Sequence, residues 1–203
     1  PFVDMLKLID VSKDSLRGKW SLEDRVLASP LNWYSPQIQI PYLPPAEYDL
    51  EIVAKRTAGD GGLAVGLVGG DRHFVAFLNY YNNTCGVSQV DGRSPYFMTP
   101  RWIAYYQRRG MPVNETARRA ILFNRDAKSV IQIAVRKNRV QAIVDGQVVI
   151  DWIADYSRVS MDSRYTTPPQ KSLFLGVYSS NSNTAFEITR FNLRPLPGQT
   201  GKK

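Results

Sequence analysis

Residues Val135 to Trp152 read VRKNRVQAIVDGQVVIDW, and the Asp145-Gly146 pair inside them constrains the chain more than any other feature. A type I′ turn needs positive φ at both central residues, which Asp tolerates and Gly adopts without steric cost. Val140 to Val144 should therefore fold back on Gln147 to Ile150. The second run ends on an aromatic, Trp152. A hairpin of this kind points to an all-β domain built from antiparallel sheets.

The rest of the chain supports that reading. Tyr48, Leu50, Ile52 and Ala54 alternate with Glu47, Asp49, Glu51 and Lys55, the pattern of a half-buried strand. Glycine-bearing turns at 59–62 and 69–71 separate further strands at Leu63–Leu67 and His73–Asn79, which is hairpin spacing. Other strands are expected at Trp20–Leu27, Ile38–Ile40 (stopped by Pro41), Val130–Val135, Leu173–Tyr178 and Ala185–Leu193. In the last of these, Phe186 and Ile188, and then Phe191 and Leu193, point inward only if the register changes near Thr189. From Tyr80 to Phe123, repeated Gly and Pro break the pattern and predict a long, loop-rich insertion. Phe2 to Ile9 suits either a short edge strand or one helical turn.

At 203 residues the chain is long enough for one sandwich with a real core and short for two domains. The expected division is an N-terminal extension or edge element over 1–17, one β-sandwich over 18–196 and a flexible tail over 197–203. A hydrophobic fraction of 43% excludes global disorder. No apolar run approaches the ~20 residues that a spanning helix needs. The start at Pro1 and the polar GQTGKK end read as a module excised from a larger protein, with that protein's other domains as partners.

Several chemistries are disfavoured. A single cysteine, Cys85, excludes an internal disulfide and a cysteine zinc site, and a thiol mechanism would have to recruit the only histidine, His73. The net charge of +8 is spread over many segments, with local pairs only at Arg108-Arg109, Arg118-Arg119 and Arg136-Lys137. Nucleic-acid binders concentrate charge on one element, so nucleic acid is not the expected partner. Asp60, Asp71 and Asp91 sit in or beside glycine turns, but no run of oxygen ligands converges, and no metal or cofactor is expected.

The hairpin, followed by SLFLGVYSSNSNTAFEITRFNLRPL, resembles the closing strands of laminin-G-like and concanavalin-A-like jelly-roll sandwiches. GKW, IPYLPPAEYDLEIVAKR and GLAVGLVGGDRHFVAFL are similar to modules of multidomain planctomycete-type bacterial proteins. The resemblance covers most of Gly18 to Leu196. It implies a two-sheet antiparallel sandwich, usually non-catalytic, often taken to bind carbohydrate, in an extracellular or cell-envelope setting. It carries no defined set of ligand residues, and a fold alone does not fix function.

Glu47-Tyr48-Asp49-Leu50-Glu51 is similar to the catalytic strand of laminarinase-type jelly-roll endoglucanases. Residues i, i+2 and i+4 of a strand share a face, so the three carboxylates project together. By that resemblance Glu47 would be the nucleophile, Glu51 the acid/base and Asp49 the group that orients them. The competing reading, which we prefer, is a polar face opposite Tyr48, Leu50 and Ile52.

Sugar recognition uses aromatic faces that stack on pyranose rings and planar polar groups that bond hydroxyls. The densest candidates are Tyr80, Tyr81 and Asn82, then Arg101, Trp102 and Tyr105 in the loop-rich middle, with His73 and Trp33 as further contacts. For each, packing onto the sandwich is the alternative. Trp20 and Trp152 are expected in the core. The sequence thus predicts a non-catalytic polysaccharide-binding module. A protein-interaction or spacer module and a glycoside hydrolase using Glu47 and Glu51 are the alternatives.

Overall fold

The Asp145-Gly146 turn has φ of 49° and 82°, the two positive values that a type I′ hairpin requires. Around it Val144 pairs with Gln147, Ala142 with Ile150 and Val140 with Trp152, with a bulge between Ala142 and Ile143. These strands belong to a computed structural model that describes residues 1–31, 35–96, 99–179 and 183–201.

In chain order the elements are β1 (Val3–Asp4), a 3-10 turn (Met5–Lys7), α1 (Val11–Asp14), β2 (Ser15–Arg17), β3 (Ser21–Glu23), β4 (Val26–Ala28) and β5 (Gln37–Ile40). They continue with β6 (Tyr48–Ala58), β7 (Gly62–Gly69), β8 (Arg72–Tyr80), a 3-10 turn (Tyr81–Asn83), β9 (Thr84–Ser88), α2 (Pro100–Arg108) and β10 (Arg118–Arg119). The chain closes with β11 (Lys128–Arg136), β12 (Arg139–Val144), β13 (Gln147–Ile153), a 3-10 turn (Tyr156–Arg158), β14 (Leu173–Tyr178) and β15 (Ala185–Pro195).

Two antiparallel sheets result. An eight-stranded sheet runs β13-β12-β11-β6-β15-β4-β3, with β1 also paired to β15, and a seven-stranded sheet runs β10-β9-β8-β7-β14-β5-β2. One apolar core lies between them: Tyr48, Leu50, Ile52, Ile131, Ile133, Phe186 and Phe191 meet Leu63, Val65, Leu67, Phe74, Leu78 and Leu175. Tyr48 ties the layers together, its hydroxyl donating to the Val68 carbonyl at 2.9 Å and accepting from the Val68 amide at 3.1 Å. The register of β15 slips between Ile188 and Arg190, which keeps Phe186, Ile188, Phe191 and Leu193 inside. Trp20 and Trp152 are buried at strand ends.

Both chain termini contact the sandwich. Residues 3–17 supply β1 at the edge of one sheet and β2 at the edge of the other, and Met5, Leu6 and Ile9 join the core, so 1–17 serves as edge elements and not as an extension. The tail is tied down as far as residue 201. The Gln199 side-chain Oε1 accepts from the Glu47 backbone N–H at 2.7 Å, its Nε2 donates to the Glu47 carboxylate at 3.0 Å, and Gly201 lies against Tyr42. Residues 202 and 203 lie outside the described part.

The two outer faces are unlike. The seven-stranded sheet is buried on both sides, because Met161 and Tyr165, with Pro95, Asn114 and Thr116, lie over it. Phe77, Val75, Ala64 and Phe174 form a second small core there with Tyr165 and Tyr80. Tyr165 approaches so closely that a Cβ on Gly176 would sit 2.4 Å from its ring, which is why that position carries glycine. Asp162, 1% exposed, anchors this cover: its carboxylate accepts from Ser88 Oγ at 2.8 Å and from Arg164 Nη2 at 2.8 Å. Among the described residues the eight-stranded sheet has no such cover.

Candidate functional site

On an antiparallel sheet the residues between the inward apolar ones form the opposite face. Along β6, β11, β12 and β15 these are Asp49 and Glu51; Gln132, Ala134 and Arg136; Gln141 and Ile143; and Asn192 and Arg194. The register turns them into two rows. Ile143, Gln132, Glu51 and Asn192 are successive cross-strand neighbours, and so are Gln141, Ala134, Asp49 and Arg194. Together they floor an open groove of about 550 Å³. Four strands at ~4.8 Å spacing give this floor a width of about 14 Å. The pairing of Val3 with Leu193 brings Phe2, 64% exposed, to the rim beside Arg194.

The charges in the groove are paired. Asp49 accepts from Arg194 Nη2 at 2.8 Å and from Arg136, and Glu51 accepts from Arg190 at 2.8 Å. Burial pushes the Asp49 carboxyl upward, but hydrogen bonds and charge from Arg194 and Arg136 outweigh it and leave the pKa below the ordinary value. Glu47, which the sequence placed on the same strand as Asp49 and Glu51, lies in the bend before β6 and outside the groove lining, so the strand's alternation does not align the three carboxylates. The backbone N–H of Lys137 donates to one Glu47 carboxylate oxygen at 2.9 Å, and the Gln199 amide to the other. The arrangement presents planar amides and locked ion pairs to a ligand.

The loop candidates divide. Tyr80 ends β8 and is 8% exposed, packed on Phe77 and Tyr178 with the Arg164 guanidinium 4.8 Å above its ring, so this ring belongs to the second core. Tyr81, the next residue, is exposed and stacks on Tyr96 at 5.6 Å. Asn82 follows with φ of 54° in the 3-10 turn. Arg101, Trp102 and Tyr105 stand exposed on α2. His73 begins β8, seven residues from Tyr80 and thus ~23 Å along the strand, so the two cannot share one ligand subsite. Its Nε2 is 3.1 Å from the Ser172 carbonyl, and burial lowers its pKa. Trp33 lies outside the described residues.

Cys85 is fully buried, and burial pushes its thiol up to about 11, which removes it as a nucleophile. Among the described residues no group of three or more His, Cys, Asp or Glu side chains converges as a metal site would need. Sequence reasoning did not single out Gln132, Gln141, Asn192 or Phe2. The available signal was their alternation with inward residues on neighbouring strands.

No family model and no curated protein matches the sequence. Solved structures do match in fold. The carbohydrate-binding module CBM66 from Bacillus subtilis aligns with a TM-score of 0.56 at 10% identity, over 93% of this chain and 94% of that chain. The exoplasmic/lumenal domain of VIP36 in its Ca2+/Man2-bound form gives 0.60 at 14% identity, over 96% and 87%. A Parabacteroides distasonis protein described as a glycosyl hydrolase gives 0.50 at 12% identity, over 97% and 100%. At such identities the likeness defines a fold: the two-sheet jelly-roll sandwich of lectin-like domains.

Proposed function

We propose that this protein is a non-catalytic carbohydrate-binding module that holds a glycan across the outer face of its eight-stranded sheet. The observation carrying this reading is the groove: two cross-strand rows in which six of eight side chains are planar and polar, left bare on a sandwich whose other sheet is covered, with an exposed phenylalanine at the rim. Gln132, Gln141 and Asn192 offer donors and acceptors to hydroxyls, and Phe2 offers a face to a pyranose. Similarity of fold to a carbohydrate-binding module and to a mannose-bound lumenal domain supports the same ligand class. The resemblance of GKW, IPYLPPAEYDLEIVAKR, GLAVGLVGGDRHFVAFL and the later VDG to planctomycete-type modules suggests one module of a larger, multidomain bacterial protein.

Hydrolysis is less well supported. A retaining glycosidase needs two free carboxyl groups ~5–5.5 Å apart, one of them protonated. Here Asp49 is clamped between two arginines, Glu51 is paired with Arg190, and both Glu47 oxygens accept hydrogen bonds.

Retention on a panel of insoluble neutral polysaccharides tests the proposal, with Gln132→Ala/Asn192→Ala as the variant. Two lost hydrogen bonds at ~0.5–1.5 kcal/mol each should weaken retention about tenfold, with an unchanged melting temperature. Retention by no glycan, or equal retention by the variant, sinks the reading. Reducing ends released from mixed β-glucan and lost in Glu47→Gln would replace it with the hydrolase.

A further inference from the structure

The helix α2 has no buried residue. Arg101, Tyr105, Arg108 and Arg109 stand at i, i+4, i+7 and i+8 and therefore share one face. With Ala104 they line a shallow depression of about 370 Å³. The Arg109 guanidinium lies 4.6 Å from the Tyr105 ring centre, and Trp102 meets that ring edge-on at 5.5 Å. Seven other arginines, Arg25, Arg136, Arg139, Arg158, Arg164, Arg190 and Arg194, each pair with an acid within 3 Å. Among the described residues Arg101, Arg108 and Arg109 have no acidic partner.

We propose that this face of α2 is a second binding site, for the sulfate or carboxylate groups of an anionic polysaccharide. Guanidinium forks match the two-oxygen edge of such groups better than ammonium does, and a ring already stacked with Arg109 holds that fork in place. Trp102 and Tyr105 supply aromatic surface for the C–H face of a sugar. Ile103 and Ala104, the aliphatic residues next to them, are half-buried, so the free face has no aliphatic side chain to insert into a bilayer. The site is independent of the sheet groove and can exist whether or not that groove binds a neutral glycan.

Affinity electrophoresis on dextran sulfate, with unsulfated dextran as the backbone control, tests the inference on the whole chain. The wild type should be retarded by dextran sulfate and not by dextran. Arg101→Gln/Arg108→Gln/Arg109→Gln should weaken this at least tenfold. Lys7→Gln/Lys19→Gln/Arg72→Gln, which removes the same charge from other exposed positions, should change it less than twofold. Trp102→Ala/Tyr105→Ala, at unchanged charge, should weaken it about threefold, and Gln132→Ala/Asn192→Ala should leave it intact. Equal losses in the two charge variants, no loss on removing the aromatics, or tighter binding to duplex DNA or anionic phospholipid vesicles through the same arginines would each overturn it. Neutral-glycan retention without dextran sulfate binding would sink this inference and spare the groove, and the converse pattern would do the opposite.

Discussion

Asp162 is the residue on which the cover of the seven-stranded sheet depends, and Asp162→Ala tests that dependence. Its carboxylate, 1% exposed, accepts from Ser88 Oγ, from the Arg164 backbone N–H at 3.0 Å and from Arg164 Nη2. Removing it leaves the Arg164 guanidinium over Phe77, Tyr80 and Tyr178 with the Ser94 hydroxyl, at 3.3 Å, and the Tyr80 hydroxyl as side-chain partners and no carboxylate among the described residues. Breaking a fully buried pair from one side costs ~3–5 kcal/mol. Arg164 is 36% exposed, so water recovers part of this, and a loss of ~2–3 kcal/mol is expected. For a domain of this size each kcal/mol lowers the melting temperature by ~2–4 °C, so calorimetry at neutral pH should show a fall of roughly 5–10 °C. Asp162→Asn keeps an acceptor for Ser88 and should fall in between. Lys171→Ala serves as comparator, since its pair with Asp71 is solvent-exposed on both sides. If Asp162→Ala melts with the comparator, the cover is held by its aromatic packing alone and the reasoning fails.

Two further outcomes follow from burial and charge. The folded Asp49 pKa is lowered, so its stabilisation is complete above the ordinary carboxylate range and is lost as pH falls through the lower folded value. Asp49→Asn should therefore cost ~1–2 kcal/mol at neutral pH and flatten the acid limb of the stability profile below about pH 4, as urea titrations at stepped pH would show; an unchanged limb contradicts the ion-pair account. The native protein should resist iodoacetamide at pH 8 and react once unfolded in urea, because the Cys85 thiol is buried and raised to about 11. Rapid alkylation of the native form would refute that burial.

Long strands with strict alternation were legible in the sequence. Tyr48–Ala58, the Asp145-Gly146 hairpin and the slip near Thr189 declare themselves because inward residues repeat at period two and turn residues have steric preferences. Strands of two or three residues have no period, so β1 and β2 could not be told from an extension. The groove was invisible for a different reason. Gln132, Glu51 and Asn192 are far apart in sequence, and only the register of β11 against β6 and of β6 against β15 sets them side by side. In the loops, alternation fails altogether: Tyr80 and Tyr81 are adjacent and chemically equal, yet one is packed in the second core and the other is exposed.

The last strand occupies an interior place in its sheet. β15 lies between β6 on one side and β4 with β1 on the other, so the last strand of the sandwich joins the earliest strands to the middle of the fold. Until residues 185–195 emerge, β6 has one unpaired edge, and β1 and β4 lack the neighbour that places them. Pairing across such sequence separations is slow and leaves strand edges open to wrong partners. This sheet therefore cannot close until β15 is available, and a nascent chain halted before Ala185 is the species most in need of chaperone protection.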